Sequence, residues 1–194
     1  KFDNHKASFT SYDQIYGDKG LKRIASKDFK KWNNFDYNSD IKEKYGRIFS
    51  MKEGGSLKKY SPKIASIIEI LQKSEGIIMI YSQFIGGGCI PLALALEEAG
   101  YDNYMVNNIF KKKPIKKSEG KYMMITGDVK LSPKNKIKEA LTKCNSIENK
   151  DGKLIKVIII SKAGSEGIDF KNIRQIHILE PWYNLNRIGQ IEGR

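Results

Sequence analysis

The stretch VIIISKAGSEGIDFKNIRQIHILEPWYNLNRIGQIEGR, residues 157–194, decides how this chain folds. Residues 157–160 are uniformly apolar and β-branched, the composition of a strand buried on both faces. They run into a small, polar, glycine-containing loop, SKAGSEGIDF at 161–170, and then into a second apolar run, QIHIL at 175–179. The segment after that ends in QIEGR at 190–194. Two buried strands with polar residues at their ends predict an open parallel sheet. Such sheets bind ligands in the crevice beyond the strand carboxyl ends, so these polar residues are where chemistry is expected.

Upstream, helix and strand signals alternate. Ser61-Pro62 reads as an N-cap followed by proline at the first helical position, and Ile64, Ile67, Ile68 and Leu71 mark one apolar helix face that Gly76 ends. Residues 77–81 form a buried-type strand, with Ser82, Gln83 and Phe84 at its end. The run 86–88, three glycines, predicts a flexible connection into a helix at 90–99 that stops at Gly100. Residues 104–106 are a weak strand candidate, 111–121 a basic, breaker-rich loop, and 122–126 a strand ending at Gly127-Asp128. Ser132-Pro133 repeats the cap-and-proline start, with Ile137, Ala140, Leu141 and Cys144 lining the helix; 145–153 reads as a polar loop. This alternation predicts an α/β fold with a mostly parallel central sheet covered on both sides.

The compact domain is expected over residues 58–194, preceded by an irregular N-terminal extension, 1–57, that closes with the turn-like KEGGS at 52–56. The extension is polar, with ten scattered aromatics from Phe2 to Phe49. Short helices are expected near 28–35 and 39–49. The aromatics can either stack on bases, as in single-strand binders, or pin the extension onto the core; the usual fate of apolar side chains favours pinning.

With 194 residues, 40% hydrophobic, the chain is one domain plus an extension. A net charge of +13 favours a polyanionic partner, nucleic acid first, although a lysine-rich proteome would also write such a sequence. Cys89 and Cys144 sit in apolar helical patterns and read as buried thiols of a reducing compartment. No run approaches the ~18 apolar residues of a membrane span, and residues 1–31 contain no apolar signal core. His177, within an apolar strand, reads as a core residue, and no Cys/His cluster suggests a metal site.

SKAGSEGIDF resembles motif V of superfamily 2 helicases and translocases, and QIEGR resembles the first part of motif VI, Gln/His-x-x-Gly-Arg-x-x-Arg. The series EGIDF, ILEPWYN and QI-x-GR is most similar to helicase-like NTPases of large cytoplasmic DNA viruses, including poxvirus early-transcription and termination NTPases and giant-virus relatives. The resemblance covers about 58–194 and implies a RecA-like three-layer sandwich, the second such domain of a motor. Small residues and backbone N–H groups at Ser161, Lys162, Ala163 and Gly164 suit a phosphodiester track that is held without reading bases. The resemblance adds Ser82 and Gln83 as motif IV, and Gly127, to that track. It turns Gly167 and Asp169 toward ATP, with Asp169 placed to meet the ribose or to position the finger arginine. It makes Arg194 the arginine that stabilises charge on the γ-phosphate, Gln190 its neighbour one helical turn away, and Gly193 part of the same ATP wall. Glu180 would orient Arg187 or Arg194. By composition alone, the 161–170 loop reads equally as a solvated glycine turn, and Gln190 with Arg194 as a polar helix face.

The sequence holds no Gly-x-x-x-x-Gly-Lys-Ser/Thr loop and no Asp-Glu-x-His/Asp box. ATP and Mg²⁺ are therefore expected to be held mainly by a first RecA-like domain, and this chain, stopping within motif VI, to supply half of an ATPase site with no useful activity alone. Expected partners are DNA or RNA, that first domain and viral transcription machinery; the expected location is the virion or host cytoplasm, or otherwise a reducing intracellular compartment. Two alternatives stay open: a basic nucleic-acid-binding module without ATPase role, and, more weakly, a dinucleotide enzyme suggested by a strand followed by three glycines.

Overall fold

In the computed structural model, residues 16–162, 164, 167–181 and 189 are described. Five strands form one sheet: β1 (Ile77–Ser82), β2 (Tyr101–Asn103), β3 (Gly120–Ile125), β4 (Val157–Ser161) and β5 (Ile173–Ile178). They lie in the order β2-β3-β4-β1-β5, and every pairing is parallel. β1 lies between β4 and β5 and is buried along its whole length, which accounts for its unbroken apolar run.

Strand parity divides the core. Ile78, Ile80, Tyr122, Met124, Val157 and Ile159 face helices α4 (Pro62–Lys73) and α5 (Ile90–Glu98). Their neighbours Met79, Tyr81, Met123, Ile125, Ile158 and Ile160 face α6 (Lys134–Cys144) and Phe170. Helices on both faces of a parallel sheet complete the expected layers. Cys89 and Cys144 are fully buried, and burial pushes both thiols up to about 12.

The described part of the extension packs into the first of these cores. Phe29, Phe35, Tyr37 and Phe49 are buried there, with Phe35 edge-on to Tyr37, Phe49 and Phe110 at ring distances of 5.3, 6.0 and 4.8 Å. Its helices are α1 (Gly17–Ile24), α2 (Ser39–Tyr45) and α3 (Leu57–Tyr60). The helix expected at 28–35 does not form. Asn33 is left-handed at φ 55°, and the N–H groups of Asn33 and Phe35 bond to Asn108 and Ile109 carbonyls instead of closing a helical turn. α1 escapes sequence reading because Gly17 and Gly20 are poor helix formers; burial of Leu21 and Ile24 overrides that preference.

Three other expectations are corrected. The edge strand is 101–103, not 104–106: Asn103 Oδ1 accepts the N–H groups of Met105 and Val106, an Asx turn that ends the strand. The three glycines form a π-helical turn (Ile85–Cys89) rather than a flexible connection. Ser132 does not cap α6, whose N-cap is Pro133; its hydroxyl turns inward, donating to Met124 O at 2.7 Å and accepting from Thr126 N at 2.9 Å.

α5 is buried all round, and its last two residues are acids that need internal partners. Glu98 is bonded by Tyr37 Oη at 2.8 Å and by Arg47 of the extension. Glu97 accepts from Tyr122 Oη at 2.6 Å, Ile109 N at 2.7 Å and Phe110 N at 2.9 Å. Burial outweighs these three bonds and pushes Glu97 from its ordinary 4.5 up to about 7. A raised acid pKa contributes stability that is present below about pH 4.5 and lost as pH rises through about 7. The urea midpoint of the wild type is expected to fall across that window. Glu97→Gln removes this pH slope and, by setting an amide N–H against a backbone donor, lowers stability by about 1–3 kcal/mol at low pH; urea unfolding of both proteins at pH 5 and pH 8 measures it.

Candidate functional site

Because all strands run the same way, their polar ends meet on one edge. Ser82 at the end of β1 is the register partner of Ser161 at the end of β4, and Thr126 follows β3 one strand further on. Both serines are buried.

The Ser82 hydroxyl is engaged within the protein. Its single O–H lies between two acceptors, Glu180 Oε1 at 3.2 Å and Phe84 O at 3.1 Å, and its oxygen accepts from Phe84 N. The second Glu180 oxygen accepts from Gln83 N at 3.3 Å. A Cβ on Gly88 would stand 1.9 Å from Ser82 Oγ and 3.0 Å from Glu180 Oε1, so only glycine lets the π-turn close over this knot. Glu180 thus ties the loop after β1 to the end of β5, a role the sequence does not disclose. Arg187 and Arg194, its expected partners, lie outside the described residues. Lys63 on α4 pins the same end by donating to Leu179 O at 2.6 Å. The glycine run and the lone acid after β5 were the available signals of such crowding. Gln83, unlike Ser82, keeps its side chain at the surface of the loop, where it lines a cleft with Phe84 and Gly86.

The loop after β4 has two halves. In the first, Gly164 N bonds back to Ser161 O at 3.1 Å, and a Cβ on Gly164 would meet Ile125 O at 2.3 Å. The loop is therefore pressed onto the end of β3, where Thr126 is bonded to Ser132 and Gly127 is exposed. Lys162 is exposed beside it. In the second half, Gly167 is left-handed at φ 70° with open space where a Cβ would be. Asp169 is exposed, its carbonyl accepting from Asn145 Nδ2 at 3.0 Å. Ile168 and Phe170 anchor this half in the α6 core. Gly167 and Asp169 line a groove of ≈ 500 Å³ whose other wall is α6, with Lys134, Lys138 and Leu141. The structure therefore groups Ser82, Gln83, Ser161, Lys162, Gly164 and Gly127 along the strand ends, and Gly167 with Asp169 beside α6. Ala163, Gln190, Gly193 and Arg194 lie outside the described residues. His177 is half-buried, paired with Gln175 at 3.1 Å, and burial lowers its pKa.

The profile of the helicase conserved C-terminal domain matches residues 62–194. The chain belongs to that family. Among its curated relatives, the termination factor NPH-I homolog of African swine fever virus is 30% identical over 161 residues, covering 69% of this chain and 22% of that protein. A protein of Acanthamoeba polyphaga mimivirus, named as a candidate ATP-dependent RNA helicase, is 34% identical over 134 residues, covering 69% of this chain and 24% of that protein. One of invertebrate iridescent virus 3, named as a candidate helicase, is 32% identical over 143 residues, covering 72% of this chain and 14% of that protein. The chain thus spans about a quarter or less of the length of these relatives. As a helicase C-terminal domain, it has the RecA-like fold.

Two outcomes follow for this helicase domain. Glu180→Ala strands Gln83 N and half of the Ser82 network, and should cost about 1–3 kcal/mol, read as a lowered urea midpoint. Gly164→Ala forces the loop off β3 and should likewise cost about 1–3 kcal/mol, read as a lowered urea midpoint.

Proposed function

We propose that the chain is the C-terminal motor lobe of an ATP-dependent nucleic-acid helicase or translocase, viral and associated with transcription. The observation that carries this reading is the paired placement of Ser82 and Ser161 at adjacent strand ends, in a chain of the helicase C-terminal family. Residues 58–194 form the motor lobe and 1–57 an extension attached to it.

Ser161, Lys162, Ala163 and Gly164, with Gln83 and Gly127, form part of the nucleic-acid track; Ser82 acts from beneath by shaping the loop that carries Gln83. Backbone N–H groups of a tight glycine turn hold phosphates without reading bases, as stepping along a strand requires. Gly167, Asp169 and Gly193 face the nucleotide, and the open space around Gly167 suits close approach of a ligand held by another domain. Arg194 stabilises the charge that develops on the transferred phosphoryl group, and Gln190 contacts the γ-phosphate or its attacking water. The triphosphate and its Mg²⁺ are held mainly by a first RecA-like domain, and without it this lobe turns over no ATP at a useful rate. The names of the relatives support a place in viral transcription, and hence in the virion or host cytoplasm.

Arg194→Ala in the full-length protein tests the assignment. DNA- or RNA-stimulated ATP hydrolysis should fall by about 10³-fold or more while oligonucleotide affinity is retained. Unchanged turnover with unchanged binding would leave only a basic nucleic-acid-binding module.

A further inference from the structure

Among the aromatics of the described extension, Phe29, Phe35, Tyr37 and Phe49 are buried and Trp32 and Tyr45 pack partly buried against the same core, whereas Tyr16 is 59% exposed; outside the extension, Phe84, just past β1, is 48% exposed. The fold brings the two exposed rings to one place. A Cβ on Gly86 would stand 2.1 Å from Asp18 Oδ1 of α1, and one on Gly87 would lie 3.6 Å from Phe84 Cβ and 4.0 Å from Gly17 Cα. The start of α1 is therefore docked on the π-turn. Tyr16 and Phe84 line one cleft of ≈ 350 Å³, together with Gln83, Gly86, Gly87 and Asp128. That volume lies within the about 300–1,000 Å³ of small-molecule sites.

We propose that this cleft is a base-stacking site for single-stranded nucleic acid, built jointly by the N-terminal extension and the loop after β1. It rests on the motor-lobe reading for the path of the strand and adds to it a contact with bases. Aromatic faces accept any base, so such a site suits a protein that moves along a strand. Lys30 also lines the cleft, but its charge is paired with Asp18 at 2.5 Å, and the Asp128 carboxylate would repel a phosphate, so the charges favour a base. The Gln83 side-chain amide, which makes no hydrogen bond among the described residues, and Asp128 offer a donor and acceptors to a base edge. Gln83 follows Ser82, the register partner of Ser161, so the cleft adjoins the strand ends where the backbone track is assigned. The net charge of +13 supplies the long-range attraction for the strand itself.

The test measures binding of the full-length protein to a fluorescent homopyrimidine oligonucleotide, as DNA and as RNA, and to an abasic strand of equal length. Tyr16→Ala and Phe84→Ala should each weaken binding to the normal strand about 5- to 150-fold, while Tyr16→Phe and Phe84→Tyr bind as the wild type does. On the abasic strand wild type and variants should bind alike. A loss of equal size on both strands overturns stacking in favour of a backbone or folding role. No loss on either strand, with wild-type binding intact, overturns the cleft and leaves the motor lobe standing. A wild type that binds neither strand overturns both.

Discussion

Every strand of the sheet points the same way, and that constraint organises the molecule. A parallel sheet places all strand amino ends on one edge and all carboxyl ends on the other. The apolar runs can then be buried on both faces, and chain polarity is discharged at the edges. In this protein the carboxyl edge collects Ser82, Thr126, Ser161 and Glu180 from four strands that are far apart in sequence. The isoleucine-rich strands exclude water from the interior, so these polar groups satisfy one another or face outward.

That edge is stiff where polar groups are internally paired and open where glycine sets the backbone. The Glu180 carboxylate, tied to the loop after β1, and Lys63, tied to the end of β5, fasten these two strand ends together. Gly88 and Gly164 permit the backbone approaches that make the loops compact. Gly167 and Asp169, by contrast, stand exposed beside α6, with only the flanking Ile168 and Phe170 in the core.

The extension is part of the same body of packed side chains. Phe35 makes ring contacts on three sides, and Arg47 neutralises a buried Glu98 that α5 could not otherwise hold in its apolar surroundings. The start of α1 rests on the glycine turn, so the extension contributes to the carboxyl edge as well as to stability.

The sequence by itself determined the fold class and most of the elements, because apolar runs of four or five residues and helical spacing of Ile64, Ile67, Ile68 and Leu71 are local patterns with one economical burial. It also determined the family, since motif V and motif VI are contiguous strings whose order survives without coordinates. It could not determine the edge strand or the fold of 28–35, where Asn103 closes an Asx turn and Asn33 takes a left-handed backbone bonded to the distant Asn108, neither of which composition advertises. Nor could it tell Gln83 from Ser82: adjacent letters at a strand end alternate between core and surface, and only the packed neighbours Glu180 and Gly88 show which one is sealed in. Partnerships across 97 and 98 residues of chain, such as Glu180 with Gln83 and Ser82, were decided by the tertiary structure alone, because no local periodicity encodes which loop a carboxylate will meet.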